Sequence, residues 1–167
     1  MRRRAMAILC AAGLVAAQAF GDGAGRSHPG WDRLKTLVGD WEGTYGDKQG
    51  VRVTYKLVSG GSALMETLHP GGTEPEMITM YHLDNGKLML THYCSENNQP
   101  RMRAGTASGD GAKLEFAFVD GTNIGPGSGH MTRLVVTFAD PNHIEQRWTH
   151  AAKGAEHTGH FRLARKK

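Results

Sequence analysis

The chain has 167 residues, 22% of them charged, and a formal net charge of +4. The length suits a single domain with a core of ordinary size. Three of the four excess charges belong to Arg2, Arg3 and Arg4, in a segment that we expect to be removed, and no lysine- or arginine-rich stripe remains apart from the terminal RLARKK. The charge pattern therefore argues against a nucleic-acid or anionic-membrane partner.

The N-terminal segment has the pattern of a secretory signal peptide. Its arginines precede an apolar run from Ala5 to Ala17, and Ala17-Gln18-Ala19 offers a cleavage site after Ala19. The run is shorter than the roughly 20 residues of a membrane-spanning helix. We therefore expect an exported protein, periplasmic or extracellular, with a signal peptide at 1–19, a linker at 20–27 and one domain at 28–165.

A short amphipathic helix is predicted directly after the linker, in HPGWDRLKTLVGD (28–40). Pro29 suits the first helical turn. Trp31, Leu34 and Val38 have the i, i+3, i+7 spacing of one helical face. Gly39 is a suitable terminator, so the helix is expected to end there.

From residue 40 onward, an alternation with a period of two replaces the helical spacing. VRVTYKLV (51–58) is the clearest example, because apolar and polar residues take turns as in a strand with one dry face. About ten such segments follow one another, at 40–45, 51–58, 62–69, 76–83, 87–94, 101–108, 112–119, 130–138, 143–150 and 156–163. Their short connections allow only antiparallel neighbours, and closure removes exposed edges. We predict an all-β fold, an up-and-down barrel with one short N-terminal helix.

The step from the helix into the first strand resembles the start of a calycin barrel, the group that includes lipocalins, fatty-acid-binding proteins and nitrobindins. These proteins have a short helix and a Gly-x-Trp here, matched by Gly39, Asp40 and Trp41. The resemblance covers Trp31 to Leu163 and implies that Trp41 closes one end of a barrel able to hold a small ligand. In overall aspect the chain is similar to uncharacterised exported bacterial calycin-like proteins, which imply no particular activity.

The nitrobindins bind haem b through a histidine on the last strand, and EHTGHFRL (156–163) resembles that strand in position. His157 shares its face with Gly159 and Phe161, whereas His160 lies on the other face. The resemblance therefore implies an alternative function, in which His157 is the proximal haem ligand and the protein binds or converts nitrogen oxides.

The stretch LTHYC places His92 and Cys94 two residues apart, on one side of a strand. Such a pair suits a metal site or an activated thiol. The plain alternative is a hydrogen-bonded strand histidine and a small buried cysteine. With Cys10 in the signal peptide, Cys94 has no partner for a disulfide within the chain.

The side chains opposite His92 depend on the turn at Asn85-Gly86. A two-residue type I′ loop sets Tyr81 and Thr79 beside Leu90 and His92, whereas a three-residue loop sets His82 and Met80 there. The sequence leaves both registers open.

The leading expectation is an interior site for a small, largely apolar or carboxylate-bearing ligand. Arg101 follows the polar loop SENNQP and suits pairing with a carboxylate, and Trp148 lies on an apolar strand face. No catalytic residue or metal site is assigned. The candidate ligand-binding residues are Tyr81, His82, His92, Cys94, Arg101 and Trp148.

Overall fold

A computed structural model describes residues 28–105 and 111–167, so the predicted signal peptide and linker lie outside the described residues. Within those ranges, one short α-helix precedes ten antiparallel strands that close into a barrel, which confirms the predicted fold class. The helix is α1 (Pro29–Lys35), and the strands are β1 (Gly39–Tyr45), β2 (Lys48–Val58), β3 (Ala63–His69), β4 (Met77–Asp84), β5 (Lys87–Tyr93), β6 (Gln99–Ala104), β7 (Lys113–Thr122), β8 (His130–Asp140), β9 (His143–Ala152) and β10 (Ala155–Arg165).

The barrel closes where the first and last strands meet. Each strand pairs with the one before it, and β1 then pairs with β10 from Trp41 opposite Arg165 to Tyr45 opposite Phe161. Gly43 makes this approach possible, because a Cβ at that position would lie 1.8 Å from the carbonyl oxygen of Arg162. No side chain fits there without parting the two strands.

The helix is shorter than predicted, and this changes which side chain it buries. The amide groups of Thr36, Leu37 and Val38 donate to carbonyl oxygens three residues earlier, which tightens the chain after Lys35. Residues three apart then lie on the same side. Leu37, 1% exposed, therefore packs inward with Leu34, and Val38, 42% exposed, faces solvent.

Trp41, 1% exposed, is buried at the helical end of the barrel. Its indole Nε1 donates to the carbonyl oxygen of Leu37 at 2.7 Å, and the guanidinium of Arg165 lies 4.3 Å from the centre of its ring. Arg165 also donates to the carbonyl oxygens of Val38 at 2.9 Å and Thr36 at 2.6 Å. The last strand is thus tied to the segment that leads into the first.

The interior of the barrel changes character along its axis. Next to the helix it is filled by apolar side chains, and beyond them lies a layer of buried polar side chains, Tyr55, Glu66, Tyr81 and Gln146. Past this polar layer, toward the end farther from the helix, the interior is hollow. The filling side chains are Trp31, Leu34, Leu64, Leu88, Leu90, Met102, Leu114, Phe116, Leu134, Val136 and Phe138.

The helices of residues 28–105 and 111–167 are too short or too polar to span a membrane.

Candidate ligand-binding site

A cavity of about 690 Å³ occupies the hollow half of the barrel. Its walls come from strand ends distant from the helix and from the loop between β3 and β4. Apolar and aromatic side chains dominate the walls, and polar groups lie at a few places. The lining residues are Tyr45, Lys48, Gln49, Leu68, Pro70, Gly71, Gly72, Thr73, Glu74, Met77, His92, Met131, Trp148, His150, His157, Gly159 and Phe161.

The turn at Asn85-Gly86 adopts the two-residue form and thereby sets the partner of His92. Both turn residues have positive φ, 49° at Asn85 and 78° at Gly86, as a type I′ turn requires. Asp84 then pairs with Lys87, and Thr79 lies opposite His92.

His92 lies at the inner end of the cavity with one ring nitrogen unpartnered. The residue is 2% exposed, and its Nδ1 lies 2.9 Å from the Thr79 hydroxyl oxygen, while Nε2 has no hydrogen-bond partner among residues 28–105 and 111–167. Burial lowers the pKa of His92 to about 4, because the charged imidazolium is poorly solvated there. At neutral pH, His92 is therefore an uncharged ring that still has one hydrogen bond to offer.

The polar layer beneath the cavity is organised around Glu66, which is 0% exposed. Its Oε2 accepts hydrogen bonds from the Tyr81 hydroxyl at 2.7 Å and from Gln146 Nε2 at 3.0 Å. Gln146 Nε2 also donates to the Tyr55 hydroxyl at 2.5 Å. Trp148 Nε1 donates to Gln146 Oε1 at 3.0 Å. The polar layer is therefore linked to the cavity wall through Trp148.

Burial raises the pKa values of the three titratable residues of the polar layer, Tyr55, Glu66 and Tyr81. Burial raises the pKa of Glu66, and the hydrogen bonds from Tyr81, Gln146 and Tyr55 counteract only part of that rise. The pKa values of Tyr55 and Tyr81 are raised well above their ordinary value, first by burial and then by the charge of Glu66. Both tyrosines therefore keep their hydroxyl protons.

Two aromatic pairs line the cavity. Tyr45 and Phe161 stack with ring centres 4.6 Å apart at an interplanar angle of 26°. His92 and Trp148 lie 4.7 Å apart at 41°. Gly159 leaves room for the first pair, because a Cβ there would lie 2.6 Å from the Tyr45 ring.

Of the residues predicted from the sequence, the structure brings His92, Trp148 and His157 to the same cavity. Tyr81 lies deeper, in the polar layer, where it bonds Glu66. His82 does not line the cavity, since it lies between Ala63 and Met89, out of phase with the inward residues of β4.

Arg101 and Cys94 also lie outside the cavity lining. Arg101 is exposed, and its Nε and Nη2 each donate to the Asp120 carboxylate at 2.5 Å. β5 ends at Tyr93, so Cys94 already belongs to a turn, with its amide donating to the Asn98 carbonyl oxygen at 3.1 Å. Burial raises the pKa of the Cys94 thiol, which disfavours the thiolate.

Glu66 and Gln146 are functional candidates that the sequence reasoning missed. Glu66 stands between Leu64 and Leu68, and Gln146 between Ile144 and Trp148, in the inward phase of their strands. A polar residue in an otherwise apolar phase is the signal that would have found each of them.

Two further observations bear on the site: the search for metal-binding clusters and the comparison with known proteins. Within residues 28–105 and 111–167, no group of three or more His, Cys, Asp or Glu side chains is arranged to hold a metal ion. No family model and no curated protein matches the chain. The fold itself, a closed antiparallel barrel of ten strands in the described residues, is consistent with the calycin resemblance.

Proposed function

We propose that the protein binds a small, largely apolar ligand in the hollow half of its barrel. The observation that carries this proposal is the cavity of about 690 Å³, whose walls are mostly apolar and aromatic. Small-molecule sites have volumes of roughly 300–1,000 Å³ and combine apolar walls with a few placed polar groups. His92 is such a group, because a buried Nε2 without a partner leaves a hydrogen bond for a ligand to make.

The distribution of polar groups suggests how the ligand is oriented. Lys48, Gln49 and Glu74 are exposed lining residues at the mouth, whereas Leu68 and Phe161 are buried in the wall. An apolar body in the barrel with any charged group toward the mouth is the arrangement that costs least desolvation. The predicted signal peptide places this binding in the periplasm or outside the cell.

Narrowing the cavity is expected to weaken binding. In the Met77→Trp variant, the larger side chain takes up part of the cavity and crowds the ligand, so the affinity for 1-aminoanthracene, a neutral probe whose fluorescence rises in apolar sites, is expected to fall about threefold or more. Met77 lines the cavity, whereas Met80 on the same strand lies between Met65 and Thr91 on the outer face.

Met80→Trp is therefore the matched control, and it should bind the probe as the wild type does. Circular dichroism verifies that both variants fold. Unchanged affinity in Met77→Trp, or an equal loss in Met80→Trp, would refute the proposed site.

Haem binding is a second candidate, favoured by the place of His157 in the cavity wall. The residues fit such a group: His157, exposed in the cavity wall, offers an imidazole for the iron, the apolar walls suit a porphyrin, and His92 lines the same cavity. Haem iron, when bound, would supply the affinity for nitrogen oxides that the resemblance implies. His157 would hold the iron.

If haem binds in this way, adding hemin to the wild type shifts the Soret band, and His157→Ala removes that shift. His143→Ala is the control, since His143 is exposed at the opposite end of the barrel, where its Nδ1 lies 2.7 Å from Asp140 Oδ2. A wild-type spectrum without a shift, or a shift that survives in His157→Ala, would exclude His157 as the ligand.

A further inference from the structure

We propose that the ligand is a planar aromatic compound whose uncharged carbonyl oxygen accepts a hydrogen bond from Nε2 of His92 at the inner end of the cavity. This inference rests on the proposed function and adds the chemical class of the ligand. Three features carry it: the hydrogen bonding of Thr79, the distribution of charge around the cavity and the aromatic pairs of its wall.

The Thr79 hydroxyl determines which nitrogen of His92 carries the proton. Thr79 is buried, and the one hydrogen-bond contact of its hydroxyl among the described residues is with His92 Nδ1. If Nδ1 carried the proton, the Thr79 O–H would have no acceptor and Nε2 would have no donor. If Thr79 donates to Nδ1, only the Nε2–H is left unpaired, and unpaired buried groups are costly. His92, whose ring lines the cavity, therefore carries its unpaired proton on Nε2.

An N–H at the inner end calls for an acceptor atom on the ligand. The acceptor is expected to be uncharged, because burying a carboxylate without a cation beside it is costly. Of the described lining residues, Lys48 alone is a lysine or arginine, and it lies at the mouth, on the first residue of β2. His150 is already engaged, with its Nε2 3.1 Å from Glu96 Oε2. A carbonyl oxygen meets these conditions, whereas a carboxylate at the inner end does not.

The walls favour a flat aromatic body over a saturated one of the same size. The stacked pair of Tyr45 and Phe161 and the pair of His92 and Trp148 both line the cavity. Aromatic rings gain from one another beyond the burial of their area, and thioethers such as Met77 and Met131 also favour aromatic partners.

The experiment compares four competitors that displace 1-aminoanthracene. These are 2-acetylnaphthalene, 2-ethylnaphthalene without the oxygen, 2-naphthoate with a charge, and 2-acetyldecalin with saturated rings. In the wild type, we expect 2-acetylnaphthalene to bind about tenfold more tightly than 2-ethylnaphthalene, the value of one good hydrogen bond. The affinity for 2-acetylnaphthalene should also exceed that for 2-acetyldecalin by about threefold, and it should be higher than the affinity for 2-naphthoate.

His92→Phe keeps a ring of similar shape without the N–H, so it should bind the two naphthalenes equally. His82→Phe, outside the cavity, is the matched control and should keep the tenfold difference. Should His92→Phe fail to fold, long-range ¹H–¹⁵N spectra of the wild type still test the proposal, because they identify the protonated nitrogen. Nε2–H is expected, and Nδ1–H would overturn the inference.

The outcomes separate the inference from the proposed function. If the ketone and the ethyl compound displace the probe equally from the wild type, the hydrogen bond is refuted while the binding site stands. Tighter binding of 2-naphthoate refutes the uncharged acceptor, and equal binding of 2-acetyldecalin refutes the aromatic class. If neither the probe nor any competitor binds, the proposed function fails together with this inference.

Discussion

Glu66→Ala is expected to lower the free energy of unfolding by about 3 kcal/mol or more. The substitution removes the acceptor of the buried Tyr81 hydroxyl and one of the two acceptors of Gln146 Nε2, which keeps its bond to the Tyr55 hydroxyl. A buried donor without a partner costs about 1–3 kcal/mol, and the lost side-chain volume adds to this. Urea unfolding at pH 7 measures the change. Glu42→Ala is the control, because Glu42 is exposed on β1 and its loss should change stability by less than about 0.5 kcal/mol.

Glu66→Gln isolates the charge of the same side chain. Because burial raises its pKa, Glu66 binds a proton more readily in the folded than in the unfolded protein. Its ionisation therefore costs stability as the pH rises from about 4.3, the ordinary pKa of glutamate, through the raised folded value. As the pH rises from about 4 toward neutrality, the stability of the wild type should fall relative to that of Glu66→Gln. Parallel curves over this range would show that Glu66 is not held in an environment that opposes its charge.

Acid should destabilise the wild type through His92 by about 3 kcal/mol. The folded pKa of about 4 lies below the ordinary value of 6.5, so the unfolded chain binds the extra proton first. The stability that the uncharged His92 contributes is complete above about pH 6.5 and disappears as the pH falls toward 4. Unfolding curves of the wild type and of His92→Phe over this range measure the effect as a difference.

The free energy of unfolding of the wild type minus that of His92→Phe should fall by about 3 kcal/mol from pH 7 to pH 4. Met80→Phe serves as the control, because it changes an outward side chain that does not titrate, and its difference from the wild type should stay constant. A wild type that loses no stability relative to His92→Phe would mean that His92 is protonated, or exposed, in the folded protein.

The strand alternation was sufficient to predict the barrel and the inward phase of its main site residues. A period of two places every second side chain inside, so Trp148 could be assigned to the interior from its apolar neighbours, whereas His157, in the same phase as Gly159 and Phe161, is exposed near the strand end. Trp41 could be placed from the Gly-x-Trp at the start of β1. These patterns are local, because the alternation of side chains along a strand is the same whether the sheet is open or closed.

Interactions between distant strands were beyond the reach of these patterns. Glu66 and Gln146 are 80 residues apart, and nothing in either strand identifies the other as its partner. Arg165 stands in a basic tail that resembles a solvated terminus, yet it packs on Trp41. Whether the interior is filled or hollow depends on how large side chains from ten strands share one space.

The register at Asn85-Gly86 shows where sequence and structure divide most clearly. Both loop lengths satisfy the turn preferences of Asn and Gly, and a difference of one residue exchanges His82 for Tyr81 on the inward face. The structure has the two-residue loop, and Thr79 thereby becomes the partner of His92. The chemistry proposed for the cavity depends on that pairing.

Methionine methyl NMR tests the ligand-binding cavity most directly. With ¹³C-methyl methionine and saturating 2-acetylnaphthalene, ring-current shifts should be confined to Met77 and Met131, which line the cavity. Met65, Met80 and Met89 lie out of phase with the inward residues and should not shift. Shifts at these three methionines in place of Met77 and Met131, or no shift at any methionine, would contradict an interior binding site.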